Sequence, residues 1–391
     1  MVAVAVFRAD VLQGQIREIS HQVHGDLPRH GGVLAAALSA ARAAAAKSPI
    51  PTLEGLLLQA GADVRITGYD LKKAIYTNIE ADVAESGSIV IGARLFCEML
   101  RRMPDGIVTI TAENGTVDVK CGKSAFNLVG ISADDYPDLP VVDPENGVSL
   151  PQNLLKKMIN ECSFAVSTNE SRPVYMGTLF EIENNVLSMV SVDGYRLALR
   201  RETVEGYGDD CSFIVPGTAL NDLERLCADS DEKVVMSVGG KHISFSVGNT
   251  VILSRRLEGE FLNYKKAIPE AFRVTVKAER AELLQVVERV ALIVDDKNRT
   301  PLRLTFNDGA IDFVCATPLG KAEDSCPCEG AGGGLEIGFN DRYLSDALKA
   351  APADTVNVCL NTGSSPCILV PADGSDTFTY MILPVRLRAG Q

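Results

Sequence analysis

Three times in 391 residues the same order of helical and strand-like segments returns, at a spacing of about 125 residues that accounts for nearly the whole chain. Repetition on that scale constrains the architecture before any single motif does. Each repeat opens with an amphipathic helix, clearest where Leu154, Leu155, Met158, Ile159 and Cys162 share one stripe and Lys156, Lys157 and Asn160 the other. Its counterparts begin near Leu34 and Leu283. A proline and strand-like runs follow each helix: Pro51 before Leu56 to Leu58, Pro173 before Gly177 to Phe180, and Pro301 before Leu302 to Phe306. Turn residues then lead into alternating strands such as Val186 to Val190 and Ala310 to Phe313.

A second helix recurs after a short strand, over Arg94 to Met103, Leu220 to Cys227 and Tyr343 to Leu348. Anchored on Leu95, Leu220 and Leu344, these helices lie 125 and then 124 residues apart. Closing segments with an aromatic residue end each repeat, at Asp135 to Pro140, Phe261 to Tyr264 and Phe378 to Met381. The expectation is an α+β chain of three repeated domains, 1–145, 146–269 and 270–391, each with two helices packed on antiparallel sheets.

That length and a hydrophobic content of 46% support folded cores throughout. No apolar run approaches eighteen residues and the start carries no secretory pattern, so the expected location is the cytoplasm. The ten cysteines are spread along the chain and mostly sit in apolar segments, as at Cys97, Cys162, Cys315 and Cys359, which reads as reduced, buried thiols. A net charge of −13 excludes tight, non-specific nucleic-acid binding by bulk electrostatics. Any DNA contact must be local. Basic residues recur in or beside the first helices (Arg42, Lys47, Lys156, Lys157, Lys277, Arg280, Arg289) and in the second ones (Arg94, Arg101, Arg102, Arg225, Arg342, Lys349).

Chemistry is hard to find. No phosphate-cradling glycine loop or dinucleotide fingerprint is present, and Gly330 to Gly334 reads as a flexible connection. His21, His24 and His30 lack a fourth metal ligand, and Cys326 and Cys328 beside Glu323 and Asp324 close no tetrahedral site, so neither a metal nor a cofactor is expected. His242 lies in an alternating strand, as a surface or satisfied core residue. Asp193-Gly194-Tyr195-Arg196 could be a catalytic Asp-Arg pair, but Gly68-Tyr69-Asp70-Leu71 at the same place in the first repeat fits a strand-end turn better. No active site emerges.

The segment Ser191-Val192-Asp193-Gly194-Tyr195-Arg196-Leu197-Ala198 resembles the bacterial DNA polymerase III beta-subunit family of sliding clamps. Ser48 to Gly55, Glu336 to Asn340 with Tyr343-Leu344, and Tyr380 to Leu387 agree with it, in the right order. The resemblance runs from about Val33 to Leu387. It implies a ring-shaped, head-to-tail homodimer that encircles duplex DNA without reading its sequence. Such a ring tethers the replicative polymerase, the clamp loader and repair proteins through short linear peptides, and is a processivity factor, not an enzyme.

Residues carried over by that resemblance fall into three sets. A peptide groove is implied at Tyr175, Val192, Gly194, Tyr195, Arg196, Leu197, Leu262, Lys266, Asn340, Tyr343, Met381, Leu383, Pro384, Val385 and Arg386. Lys47, Asn169 and Arg172 match DNA-facing positions, with Lys156 and Lys157 beside them. A dimer interface is implied for Phe126 and Leu128 against Leu292 and Ile293, with Glu323 and Asp324 nearby; packing within a domain core is the other reading of Phe126 and Leu128. The chain departs from the pattern at Leu262, often Pro, Tyr175, often aliphatic, and Asn298, often aromatic. Residues 1–32 do not resemble the family's opening, and residues 388–391 extend past its usual ending. The rival readings are an enzyme with a site between repeats centred on Asp70, Asp193 and Arg196, and a scaffold of this fold that forms no ring.

Overall fold

A computed structural model describes residues 3–7, 31–143, 147–204, 210–294 and 300–387. The expectations for His21, His24, His30, Asn298 and residues 388–391 lie outside those residues. The first domain runs β1 (Ala3–Phe7), α1 (Gly31–Ala41), β2 (Gly55–Ala60), β3 (Val64–Tyr69), β4 (Lys73–Ile79), β5 (Asp82–Glu85), β6 (Gly87–Gly92), α2 (Ala93–Arg102), β7 (Val108–Glu113), β8 (Thr116–Cys121) and β9 (Ser124–Val129). The second runs β10 (Gly147–Pro151), α3 (Gln152–Ser163), β11 (Gly177–Glu183), β12 (Val186–Val192), β13 (Arg196–Thr203), β14 (Cys211–Pro216), α4 (Gly217–Leu226), β15 (Lys233–Val238), β16 (His242–Val247), β17 (Thr250–Arg255) and the short α5 (Tyr264–Ala267). The third repeats it with β18 (Val274–Glu279), α6 (Arg280–Val290), β19 (Leu302–Phe306), β20 (Ala310–Thr317), β21 (Gly320–Pro327), β22 (Leu335–Phe339), α7 (Asp341–Ala350), β23 (Thr355–Leu360), β24 (Cys367–Pro371) and β25 (Phe378–Ile382).

The fold is therefore three α+β domains with antiparallel sheets, and the chain groups into two compact units, Met1–Lys156 with Asn221–Arg256 and Lys157–Leu220 with Leu257–Gln391. The first unit holds a sheet in the order β5-β1-β7-β8-β9 and a larger one, β10-β15-β16-β17-β4-β3-β2-β6. The second holds β14-β11-β12-β13-β25-β24-β23-β18 and the smaller β21-β20-β19-β22. Each larger sheet joins strands of two successive domains, through β4–β17 in one unit and β13–β25 in the other. The registers correspond: Lys73 faces Ser254 as Arg196 faces Ile382, and Ile75 faces Ile252 as Ala198 faces Tyr380.

Apolar alternation builds the cores. In the first unit Leu34, Ala37, Leu56, Ile66, Phe96, Leu100, Ile110, Val117 and Val119 form one cluster, buried by α1 and α2 against the strands. Here the structure corrects the helix alignment, because Leu95 is 60% exposed while Phe96 is fully buried. Phe96, Leu220 and Leu344 are the corresponding residues, so both spacings become 124. On α3, Leu155, Met158, Ile159 and Cys162 are buried as the stripe requires, whereas Leu154 is only half-buried. All ten cysteines are free thiols, eight of them buried.

Two segments differ from the expectation. The atypical start contains an opening strand after all, since β1 pairs with both β7 and β5, as the alternating Ala3-Val4-Ala5-Val6-Phe7 composition favours. Gly330 to Gly334 is a packed turn rather than a flexible connection: Gly334 N–H donates to Phe306 O at 2.9 Å, and a Cβ on Gly332 would lie 2.2 Å from that same oxygen. Among the described residues no helix is long and apolar enough to cross a membrane.

Candidate functional site

The turn between β12 and β13 is built by one carboxylate. Asp193 Oδ1 accepts from the backbone N–H groups of Tyr195 and Arg196 at 2.8 and 3.0 Å, and Gly194 takes φ +93°, a region that an L side chain adopts at a cost. The first domain uses the same device, with Asp70 Oδ1 accepting from Lys72 and Lys73 N–H and Leu71 at φ +71°. Both carboxylates are thereby committed to holding a turn, as the strand-end reading anticipated.

What the turn presents is specific to the second unit. Arg196 is clamped from two sides, its Nε donating to Asp193 Oδ2 at 3.0 Å and its Nη1 to Asp346 Oδ2 at 2.6 Å. Its guanidinium lies 4.7 Å from the Tyr343 ring centroid and 5.4 Å from that of Phe164. Tyr195, 60% exposed, stacks on Tyr343 at 5.7 Å with an interplanar angle of 21°. Asn340 caps α7 by accepting from Tyr343 N–H at 3.1 Å, which fixes the start of the helix that carries Tyr343 and Asp346. Leu383 N–H donates to Tyr195 O at 2.8 Å, and Val385 bridges to Gly338, so the closing segment passes along the same turn.

Below this rim lies an apolar floor. Val192, Leu197, Tyr264 and Met381 are buried in one cluster, and Tyr175, Phe261, Ala267 and Ile268 pack against it while remaining partly open. Tyr175 meets Phe261 edge to face at 5.5 Å. Tyr264 donates to Glu181, and burial first and that carboxylate second push its phenol up to about 12. Leu262 and Lys266 are exposed on the segment that continues from Phe261, with Asn263 capping α5 through Lys266 N–H. Pro384 is half-buried and Arg386 exposed beside Val385. Asp346, Phe164 and Phe261 are absent from the sequence-derived set. Asp346 was readable as the residue one turn beyond Tyr343 on the same helix face, but Phe164 and Phe261 are brought in by folding alone.

The three domains are each recognisable on their own terms. Residues 32–140 match the N-terminal domain of the DNA polymerase III beta subunit, residues 149–263 its central domain and residues 265–386 its C-terminal domain. The chain belongs to this family. It is 32% identical to the beta sliding clamp of Halalkalibacterium halodurans, over 88% of this chain and 95% of that one. The Staphylococcus aureus beta sliding clamp is 30% identical over 88% and 94%. Among solved structures, the Bacillus subtilis DNA polymerase sliding clamp superposes with a TM-score of 0.90 at 25% identity, covering 99% of this chain and all of that one. A Pseudomonas aeruginosa sliding clamp bound to griselimycin gives 0.88 at 26% identity, over 99% and 100%.

The beta-subunit positions outside the rim sort differently. Lys47 and Asn169 occupy the corresponding exposed loop after the first helix of their domains, with Arg172 three residues further along the second loop. Lys157 is exposed, while Lys156 is half-buried and paired with Asp229 at 3.1 Å. On β9, Phe126 is partly exposed, but Leu128 is buried in the first domain's own core; Val129, 86% exposed, is an apolar residue of that edge which the sequence left unmarked. Leu292 is 83% exposed beside half-buried Ile293, and Glu323 is exposed while Asp324 is held by Arg289 at 2.7 Å.

Proposed function

We propose that the chain works as a DNA sliding clamp, a processivity factor rather than an enzyme, by closing head to tail with a second copy around duplex DNA and carrying partner proteins on the rim at Arg196. The observation that carries the reading is strand bookkeeping across the repeats. β4 and β13 each pair with a strand of the following domain, β17 and β25 respectively, in corresponding register. Their counterpart in the third domain, β21, and the counterpart of β17 and β25 in the first, β9, are both edge strands. One joint of the same kind is left unmade, and a second copy supplies it. Extending the register puts Phe126 opposite Ala322 of the partner subunit, as Ile252 faces Ile75 and Tyr380 faces Ala198. Such a contact is heterologous and must close after two subunits to avoid a filament. The domain limits that suit this arrangement are 1–145, 146–269 and 270–391.

The acidic chain then needs no strong hold on phosphates, because a closed ring retains DNA by topology; Lys47, Asn169, Arg172, Lys156 and Lys157 supply the weak local contacts that sliding tolerates. The floor of Val192, Leu197 and Met381 with the rim of Tyr175, Tyr195 and Tyr343 suits an extended peptide with apolar anchors, with Gly194, Leu262, Lys266, Asn340, Leu383, Pro384, Val385 and Arg386 around it. A clamp of this fold holds griselimycin, which supports a ligand site in the family. The deciding experiment loads the protein onto circular DNA and then linearises it. Retention on the circle and loss from the ends is the expected result; retention on linear DNA, or no retention on the circle with a competent loader, overturns the reading.

A further inference from the structure

The turn at Asp70 and the turn at Asp193 share a backbone but not a chemistry. Arg255 N–H donates to Lys72 O at 2.8 Å in the first unit, as Leu383 N–H donates to Tyr195 O at 2.8 Å in the second. Lys72 thus stands where the rim has Tyr195, Arg255 where it has Leu383, and Arg256 where it has Pro384. Every apolar or aromatic group at these three positions is exchanged for a cation. The row continues sideways, for β16 and β17 pair His242 directly with Arg255, and Arg256 N–H donates to Lys241 O at 3.0 Å. Lys72 in the turn that opens β4, Arg255 on β17 and His242 on β16 therefore form a line about 10 Å long at the usual strand spacing, flanked by Arg256 and Lys241.

These charges are close enough to act on one another. Burial first, and then the positive charges of Arg255, Lys241 and Arg256, hold His242 below the usual histidine range. Lys72 and Lys241 are exposed, and among the described residues neither is ion-paired. Of the nearby carboxylates, Asp70 is committed to the turn amides and Asp222 to Lys73. On a chain of net charge −13 such an island is a local reversal of sign.

We propose that Lys72, Lys241, His242, Arg255 and Arg256 form a second nucleic-acid contact surface, which takes the phosphate backbone of DNA and reads no bases. Charge complementarity selects a polyanion, and the chemistry of the row selects DNA over an acidic protein. A docked peptide needs several apolar anchors, and the exchange of Tyr195, Leu383 and Pro384 for cations leaves Leu71 as the exposed apolar side chain of this turn. No Phe, Tyr or Trp stands in the row to stack on a base, and His242 is half-buried, so contact runs through phosphate and is independent of sequence.

The test measures binding of a fluorescein-labelled dT30 strand to the intact protein by anisotropy, over a series of salt concentrations. Changing Lys72→Glu and Lys241→Glu together is expected to weaken binding about tenfold at low salt and to reduce the salt slope by about 1 to 2. Lys120→Glu with Lys233→Glu, the same charge change elsewhere on that unit, is expected to alter affinity less than about twofold. Circular dichroism melts check that both variants fold. Equal losses for the two pairs would assign the effect to net charge, and unchanged binding in the first pair would remove the surface. Displacement of the strand by polyglutamate at a lower charge concentration than unlabelled dT30 would make the occupant an acidic protein and overturn the proposal. Loading on circular DNA is read separately, so failure here leaves the clamp reading standing.

Discussion

At the scale of single residues, the two Asp-built turns are an internal control for backbone strain. Gly194 and Leu71 hold the same left-handed place, φ +93° and +71°, but only glycine does so freely. Leu71→Gly is expected to stabilise the first unit by up to about 1 kcal/mol, and Gly194→Ala to destabilise the second by about 1 kcal/mol, both measured as shifts of a urea unfolding midpoint. A destabilised Leu71→Gly would show that the side chain's packing outweighs its backbone cost. Arg196 is the rim's keystone, since one guanidinium satisfies two carboxylates and lies against Tyr343. Arg196→Ala is expected to cost about 2 kcal/mol and to abolish partner-peptide binding, with Arg196→Lys recovering stability better than binding because an ammonium cannot reproduce the fork. Peptide titration by calorimetry separates the two effects.

At the scale of elements, sheets and their edges govern. Tyr264 ties α5 to β11 through Glu181 and is buried in the rim's apolar floor. Its phenol titrates higher in the folded chain than its ordinary value of 10.0, so the neutral form is the one the fold prefers. The associated stability is fully present below pH 10 and is lost as pH rises toward about 12. Tyr264→Phe is expected to cost about 1 kcal/mol at neutral pH and to flatten that alkaline decline, as followed by thermal melts from pH 9 to 12. β9 carries the other element-scale prediction. Phe126→Asp is expected to convert the dimer to monomer in sedimentation velocity while leaving the melting of the first domain unchanged, because Phe126 is partly exposed whereas Leu128 belongs to the core. A persistent dimer would send the interface elsewhere.

At the scale of the whole molecule, the acidic balance and the placement of cations divide two tasks. Charge reversal at Lys47 and Lys157, both exposed, is expected to lower retention on circular DNA several-fold with no change in sedimentation. A normal loading assay would count against their facing DNA. The contrast between the Lys72 row and the Arg196 rim extends the same logic: a repeated frame keeps its hydrogen bonds and changes its exposed side chains, so each joint can meet a different partner.

Periodicity and punctuation were enough to read three α+β domains with two helices each, because amphipathic stripes and proline-marked strands are local signals. Recurrence at matching places also made the Asp193 turn readable as structural. The sequence could not distinguish Leu95 from Phe96 as the buried anchor, since adjacent apolar residues satisfy a helical stripe nearly equally until packing selects one. Nor could it separate Leu128 from Phe126, which lie two apart on one strand and so share a face of the sheet; how far the domain's own core covers that face, burying Leu128 and leaving Phe126 partly exposed, is decided by tertiary packing. Asp346, 150 residues from Arg196, reaches the rim because strands from two domains are hydrogen-bonded into one sheet, and Phe164 reaches it because the end of α3 packs by β13 within the second domain. Local pattern set the elements by itself; which residues of distant elements meet was decided by burial and strand pairing, which act only once the chain is folded.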